Sequence, residues 1–490
     1  MKYISKLNGA ATDSISLIFV KIITAMLGIV TTKIMSTQLS LTDYGTYSQG
    51  MLIVTTAANF SILGLTDATS FFYNSSKNTL EKEKYIGTIF GIQCIIGSIV
   101  ALIIILFNPF IIHYFKNEEI QNIIYIVAIL PMTTNLLPML QVLFISTGKA
   151  RLIAARNFIV SLCRLTFVTI ACYFTNNLLL LFLLIWILDV VQVIYFYYIL
   201  NKNKIRIKIQ TFDRKIIKRI FNFSIPMAIT VFTTSFSRDI DKYVISYFTD
   251  TDTLALYSNA AKNLPFDMIA TSFLTVLIPI VTRQLTNSDF NKAQILLKSY
   301  LRIGYLSTFP FVIGAIVNAK SMMIFLYDEK YLPALSIFVI YLFSDMVRFA
   351  NTALILSAKG RTKLLMVCSI VSLLVNAVLN VVAYNIFGLV GPAITTLLVN
   401  IGLTIAYLLF SARELNTRLV NLFNTKEIII ILAETLIIGF GGVLLRDCLS
   451  GLISARIVVL IITYCTIIIS FMAINYKRII ECLKTINTLK

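Results

Sequence analysis

Ile220–Asp250 reads IFNFSIPMAITVFTTSFSRDIDKYVISYFTD. A helix of this length crosses a hydrocarbon core of about 30 Å with residues to spare. Yet its second half carries Arg238, Asp239, Asp241 and Lys242. Charge at membrane depth is costly and turns toward protein or a water-filled space. The basic run Lys202 to Arg219 precedes the stretch, and about half the chain lies on either side. It therefore reads as the opening helix of the second half of a two-lobed membrane body, its charged face on an internal cavity.

The composition agrees. Of 490 residues, 58% are hydrophobic and 13% charged, against about 45–50% and about 25% in soluble domains. Apolar runs of about 20 residues recur along the chain, the pattern of an all-α polytopic membrane protein. A β-barrel would show short alternating segments instead. The net charge of +19 does not indicate nucleic acid, because the basic residues sit mainly in short loops where they set topology. Lys2 and Lys6 precede the first apolar run without a small-residue cleavage site after it, so that run reads as a mature helix. The seven cysteines form no C-x-x-C pair, and the single histidine, His113, lies in a short loop. Neither a disulfide nor a metal site is expected, and no cofactor.

The apolar runs number about fourteen. The first six fall near 12–36, 44–66, 86–108, 120–145, 152–174 and 177–200. Six more fall near 220–248, 254–282, 300–319, 332–358, 363–386 and 389–411, and two near 427–445 and 455–475. The implied organisation is a six-helix lobe over 1–200, a basic linker over 201–219, a second six-helix lobe over 220–412, and two further helices with a tail over 413–490. With the N-terminus in the cytoplasm, roughly thirty Lys and Arg residues fall on the cytoplasmic side and about five on the other, a strong positive-inside bias. The outer five are Lys116, Lys320, Lys330, Arg446 and Arg456. Both termini are then cytoplasmic, and the outer loops are too short for an external catalytic domain.

A weak internal repeat has the same spacing. TTKIMSTQLSLTDYGTYSQG (31–50) aligns without gaps to DKYVISYFTDTDTLALYSNA (241–260). Ser36 matches Ser246, an acidic turn follows in both, and Tyr47-Ser48 matches Tyr257-Ser258. An offset of about six spans is even, so the copies are parallel repeats about an axis along the membrane normal. Prolines Pro131, Pro138, Pro226, Pro265, Pro279, Pro310 and Pro392 lie in or near spans and predict kinks.

Outside the loops, cations remain at Lys21, Lys33, Arg164, Arg238, Lys242, Lys262 and Arg348. Acids at depth or near a span end are Asp67, Asp189, Asp239, Asp241, Asp267, Asp345 and Glu434. On a continuous helix, Arg238, Asp241 and Lys242 share a sector of about 100°. Two readings stand open: internal i,i+3 pairing of Arg238 with Asp241 and Asp239 with Lys242, or a cavity face on which a cation meets an anionic substrate. Lys33 and Lys262 can also snorkel to the interface. The candidate diphosphate-binding residues are Arg238, Lys242, Lys21, Arg164, Lys262 and Arg348. The candidate counter-ion or coupling residues are Asp189, Asp239, Asp241, Asp267 and Asp345.

LSLTDYGTYSQGMLIVTTAANFSILGL (39–65) and the set FSIPMAI, DIDKYVISYF, ALYSNAAK (223–262) resemble the Wzx-type polysaccharide flippases of the multidrug/oligosaccharidyl-lipid/polysaccharide exporter superfamily. Together with the span pattern and the central linker, the resemblance covers nearly the full length. It implies two six-helix lobes around a cavity and alternating access. It further implies transfer of a polyprenyl-diphosphate-linked oligosaccharide, such as an O-antigen or capsule repeat unit, across a bacterial inner membrane. Cavity cations are then the diphosphate ligands, and a polysaccharide polymerase and chain-length machinery are the implied partners besides membrane lipids. Such a protein is not an enzyme. A cation-coupled multidrug exporter of the same superfamily and a polytopic polysaccharide polymerase are the alternatives; the first is expected to have an acidic or aromatic cavity, the second a large outer loop.

Overall fold

The computed structural model describes residues 20, 23–76, 78–146, 150–203, 205, 207 and 214–488. Among them all regular structure is helical. Eleven helices are long and apolar enough to cross a membrane, or up to twelve if a bent pair counts as one span. The chain is a multi-pass membrane protein. The expected number is higher for identifiable reasons. The first expected span begins outside the described residues, and the continuous apolar stretch Thr362–Glu414 contains two helices joined at Gly388–Val390.

The chain divides into two compact units. One comprises the described residues up to Asp239 with Ser246–Ala255; the other comprises Ile240–Ile245 with the residues from Leu256 onward.

The first unit contains α1 (23–38), α2 (Leu41–Ser61), α3 (Leu65–Ser75), α4 (Thr79–Leu106), α5 (Asn108–Phe115), α6 (Ile120–Ser146), α7 (Ala150–Thr169), α8 (Leu178–Lys202) and α9 (Arg214–Phe236). Ser40 opens α2 by accepting the Asp43 N–H at 3.0 Å while donating to the Asp43 carboxylate at 2.7 Å, a reciprocal cap. Gly64 joins α2 to α3 at φ +66°. A side chain there would also run into the Ser224 carbonyl on α9, so glycine is required twice over. Helix α6, with Pro131 and Pro138 inside it, packs on α2, α3, α4 and α8.

The start of α9 belongs to this unit's core. Ile220 is fully buried with Phe72, Tyr85 and Ile89. Phe71 stacks on Phe223 at 4.5 Å, Phe72 on Tyr85 at 4.4 Å, and Arg219 donates to the Tyr85 hydroxyl at 2.8 Å.

The second unit contains α10 (Ile240–Phe248) up to Ile245, α11 (Thr251–Ala260) from its last turns, α12 (Met268–Thr286), α13 (Phe290–Val317), α14 (Ala319–Leu326), α15 (Leu335–Arg348), α16 (Leu354–Ala358), α17 (Thr362–Phe387), α18 (Gly391–Glu414), α19 (Thr425–Leu452) and α20 (Arg456–Thr488). Helix α13 is its centre, packed on α12, α15, α19 and α20. The Tyr300 hydroxyl on α13 donates to the Phe349 carbonyl at 2.7 Å.

Several expected helices are interrupted, among them 332–358 over 349–353, and two of the breaks fall at candidate residues. The stretch 220–250 is not one helix: it breaks at Ser237–Asp239 between α9 and α10. There the backbone bonds shorten to the i−3 pattern, Arg238 N–H to Ser235 O and Asp239 N–H to Phe236 O, which ends a helix. The shared sector expected for Arg238, Asp241 and Lys242 rested on a continuous helix, and Arg238 lies in the break rather than on α10. The stretch 254–282 also opens, over 261–264, before a short turn at Pro265–Asp267. Proline supplies no N–H there and pushes the preceding residue into an extended conformation, as seen at Leu264 with ψ 151°.

The repeat reappears at its helix starts. Asp250 accepts the Thr253 N–H at 2.8 Å, as Ser40 accepts that of Asp43. Both caps stand at matching positions of the two copies. Within the first unit the matched residues Thr42 and Asp252 touch, the threonine hydroxyl donating to the carboxylate at 2.7 Å.

Candidate functional site

The second unit holds two buried polar clusters. The first is centred on Asp241, 1% exposed, in the first turn of α10. Its Oδ1 accepts the Lys242 N–H at 2.8 Å. Its Oδ2 accepts from the Tyr257 hydroxyl at 2.9 Å and from the Tyr341 hydroxyl. The two rings meet edge to face with centroids 6.4 Å apart. Two phenol donors give this buried carboxylate charge-assisted bonds away from bulk water. Farther along the unit, Asn380 on α17 is fully buried, and neither atom of its amide is hydrogen-bonded among the described residues.

The second cluster closes the opening before Pro265. Asp345 on α15, also 1% exposed, accepts the Leu264 N–H at 2.8 Å. Arg348, one turn later, pairs with Asp345 at 2.7 Å and grips Asp267 through Nε and Nη2 at 3.0 and 2.8 Å. Nη2 also donates to the Leu264 carbonyl at 2.7 Å. The arginine thus satisfies the backbone that proline leaves open and neutralises part of two carboxylates. Beside the opening, Lys262 donates to the buried Asn259 side chain at 2.8 Å and lies 5.9 Å from the Tyr327 ring centroid.

The first unit has one corresponding cluster, on α7 and α8. Asp189 accepts from Gln192 Nε2 at 3.3 Å and feels the charges of both Arg164 and Arg156. Arg156 donates to the Gln192 side-chain Oε1 and lies over the Phe196 ring at 5.1 Å. Arg164 is exposed. Arg238 is exposed too, its Nε directed at the Thr234 carbonyl at 3.3 Å. Asp239 and Lys242 are half-buried, and Lys21 lies outside the described residues.

Comparison with known proteins decides the family. Residues 10–285, more than half the chain, match the polysaccharide biosynthesis protein family. The chain is a member of that family. Residues 226–382 also match the MatE family. A curated relative, described as a probable lipid II flippase MurJ from Rickettsia prowazekii (strain Madrid E), is 22% identical over 311 residues, 60% of this chain. The match spans 61% of that relative's length. Among solved structures, the inward closed conformation of the lipid II flippase MurJ superposes with a TM-score of 0.74 at 16% identity, covering 96% of this chain and all of that one. An inward-facing multidrug resistance MATE transporter gives 0.66 at 11% identity, covering 80% and 94%. These likenesses fix the fold as that of flippases and exporters.

For this member of the polysaccharide biosynthesis protein family, the structure sorts the cations by their surroundings. Arg348 is held on several sides by protein groups, whereas Arg164 and Arg238 are exposed. Glu434, at depth in the sequence, is paired with Arg478 at 2.8 Å and bonded to Asn475 at 3.0 Å. Tyr257 and Tyr341 join Asp241 although neither carries charge, and Arg156 bonds Gln192, the residue that bonds Asp189, although its position suggests a loop-flanking topology signal. Their pairing depends on neighbours far along the chain, which no single-sequence pattern displays. The signal that was present is the acid itself: a carboxylate in an apolar run needs donors, and tyrosine is the donor available in such a run.

Proposed function

We propose that the protein moves a polyprenyl-diphosphate-linked oligosaccharide, a repeat unit of a cell-surface polysaccharide, from the cytoplasmic to the outer leaflet by alternating access. The family match over residues 10–285 carries this reading. Two exposed arginines, Arg164 and Arg238, suit the substrate end of the task, because a guanidinium offers planar pairs of donors to phosphate oxygens. Asp241 with Tyr257 and Tyr341 suits coupling, as a buried acid whose charge state changes with a proton or cation. Asp189, Asp239, Asp267 and Asp345 serve as counter-ions in this scheme. Both termini lie in the cytoplasm, as the basic loops require. A polymerase and its chain-length machinery would receive the product.

A cation-coupled multidrug exporter is the second reading. The match to MatE over residues 226–382 favours it, since that region contains the Asp241 cluster. Reconstitution separates the two. In vesicles carrying a fluorescent polyprenyl-diphosphate oligosaccharide, flipping exposes the label to a membrane-impermeant quencher. The proposal expects protein-dependent exposure that falls at least tenfold when Arg164 and Arg238 are both changed to glutamine. Efflux of organic cations without any lipid flipping would establish the second reading instead.

A further inference from the structure

Positive-inside topology leaves few basic residues on the outer face, so their positions there carry information. Of the five, Lys320, Arg446 and Arg456 line a single cavity of about 500 Å³ in the second unit. The cavity lies where the turn from α13 to α14 meets the turn from α19 to α20, at the ends of membrane-spanning helices and therefore at headgroup depth. Ser321, Ser450 and Ser454 add hydroxyls to its wall.

The wall is built rather than incidental. Asn318 forms its floor, 1% exposed, with its amide donating to Gly314 O at 3.0 Å and accepting from the Thr463 hydroxyl at 2.8 Å. Arg446 donates through Nη1 to the Val317 carbonyl at 2.5 Å and through Nε and Nη2 to Asp447. Arg456 pairs with Glu329 at 2.6 Å. Both acids are more than half exposed and neither lines the cavity. A guanidinium has five N–H groups, so each arginine keeps donors after these bonds. Lys320 makes no ion pair among the described residues. Three cations against two acids leave the site net positive.

We propose that this cavity binds the phosphate of a lipid headgroup at the outer face of the membrane. Cations and hydroxyls at headgroup depth match a phosphate ester, whose two sources in a bilayer are the polyprenyl diphosphate of a carrier lipid and an anionic phospholipid. The site is separate from the transport readings above, so every titration is run in an Arg164→Gln, Arg238→Gln background, where carrier lipid held at the proposed transport site does not count toward the cavity.

The experiment uses the full-length protein in nanodiscs of phosphatidylcholine, titrated separately with polyprenyl diphosphate, phosphatidylglycerol and the phosphate-free polyprenol. Retention is read by native mass spectrometry. With the cavity intact in that background, the protein is expected to retain one of the two phosphate lipids at least tenfold more than polyprenol. Lys320→Gln combined with Arg456→Gln, both at exposed positions, is expected to remove that preference while leaving the melting temperature unchanged. Selective retention of polyprenyl diphosphate assigns the cavity to carrier lipid, and equal or stronger retention of phosphatidylglycerol assigns it to bulk phospholipid. Retention that is the same for polyprenol, or that survives in the Lys320→Gln, Arg456→Gln variant, overturns the proposal. Should that variant melt early, Lys320→Gln alone gives the same test with a threefold loss expected.

Discussion

Arg348 and Arg238 stand as equals in a list of intramembrane cations, but their surroundings give them different work. Arg348 donates to Asp267 twice and to the Leu264 carbonyl once, and forms an ion pair with Asp345. Removing it leaves two carboxylates facing each other in a poorly hydrated interior and reopens the backbone at Pro265. Breaking a buried ion pair in this way costs about 3–5 kcal/mol. Arg348→Ala is therefore expected to lower the melting temperature of the detergent-solubilised protein markedly. Arg238→Ala, at an exposed site, should leave it within experimental scatter and act on transport instead. If the two variants melt alike, Arg348 does not brace the broken helix and returns to the set of substrate ligands. Depth along the sequence identified Arg348 as costly. It could not identify the payoff, because Asp267 lies 81 residues away on a different helix.

At the scale of elements, the helix starts were more legible than the helix ends. Ser40 and Asp250 cap α2 and α11 at matching places in the repeat, and each is a residue type that prefers an N-cap. The two differ in one respect: only the aspartate titrates. The side chain of Thr253, and then its N–H, hydrogen-bond Asp250 and hold its carboxyl below the usual carboxylate range. A carboxyl whose pKa is lower folded than unfolded stabilises fully above the unfolded value, about 3.9. That stabilisation is lost as pH falls through the folded value. Because Asp250 is exposed, solvent screens the effect and it is small; an N-cap is worth about 1 kcal/mol in all. Asp250→Ser is expected to melt with the wild type or slightly below it at pH 7, and to gain on it below pH 4. An unchanging gap across that range would remove the aspartate from the cap's energetics. The break at Ser237–Asp239 was illegible for the opposite reason. It contains neither proline nor glycine, and Asp241 is drawn inward by Tyr257 and Tyr341, which are 16 and 100 residues away.

At the scale of the whole molecule, the apolar runs and the alternation of basic loops displayed the class, the multi-pass architecture and the position of nearly every span. Those features follow from water and lipid alone, so one sequence suffices to read them. The allocation of α9 was less visible, since it depends on aromatic stacking of Phe71 on Phe223 and Phe72 on Tyr85 between segments far apart in sequence. The orientation expected from charge can be tested directly. The native cysteines must first be replaced, because Cys448 and Cys465 are exposed. Single cysteines are then placed at Asn287, in the turn between α12 and α13, and at Thr175, before α8; both positions are exposed. The excess of Lys and Arg predicts Asn287 in the cytoplasm and Thr175 outside. In intact cells an impermeant maleimide should label Thr175→Cys and spare Asn287→Cys until the membrane is permeabilised. Between them the positions are separated by an odd number of spans, so labelling of both from the same side would require a span to be added or removed. Labelling of Asn287→Cys alone would keep the helix count and invert the whole molecule, which would place the Lys320–Arg446–Arg456 cavity on the cytoplasmic face.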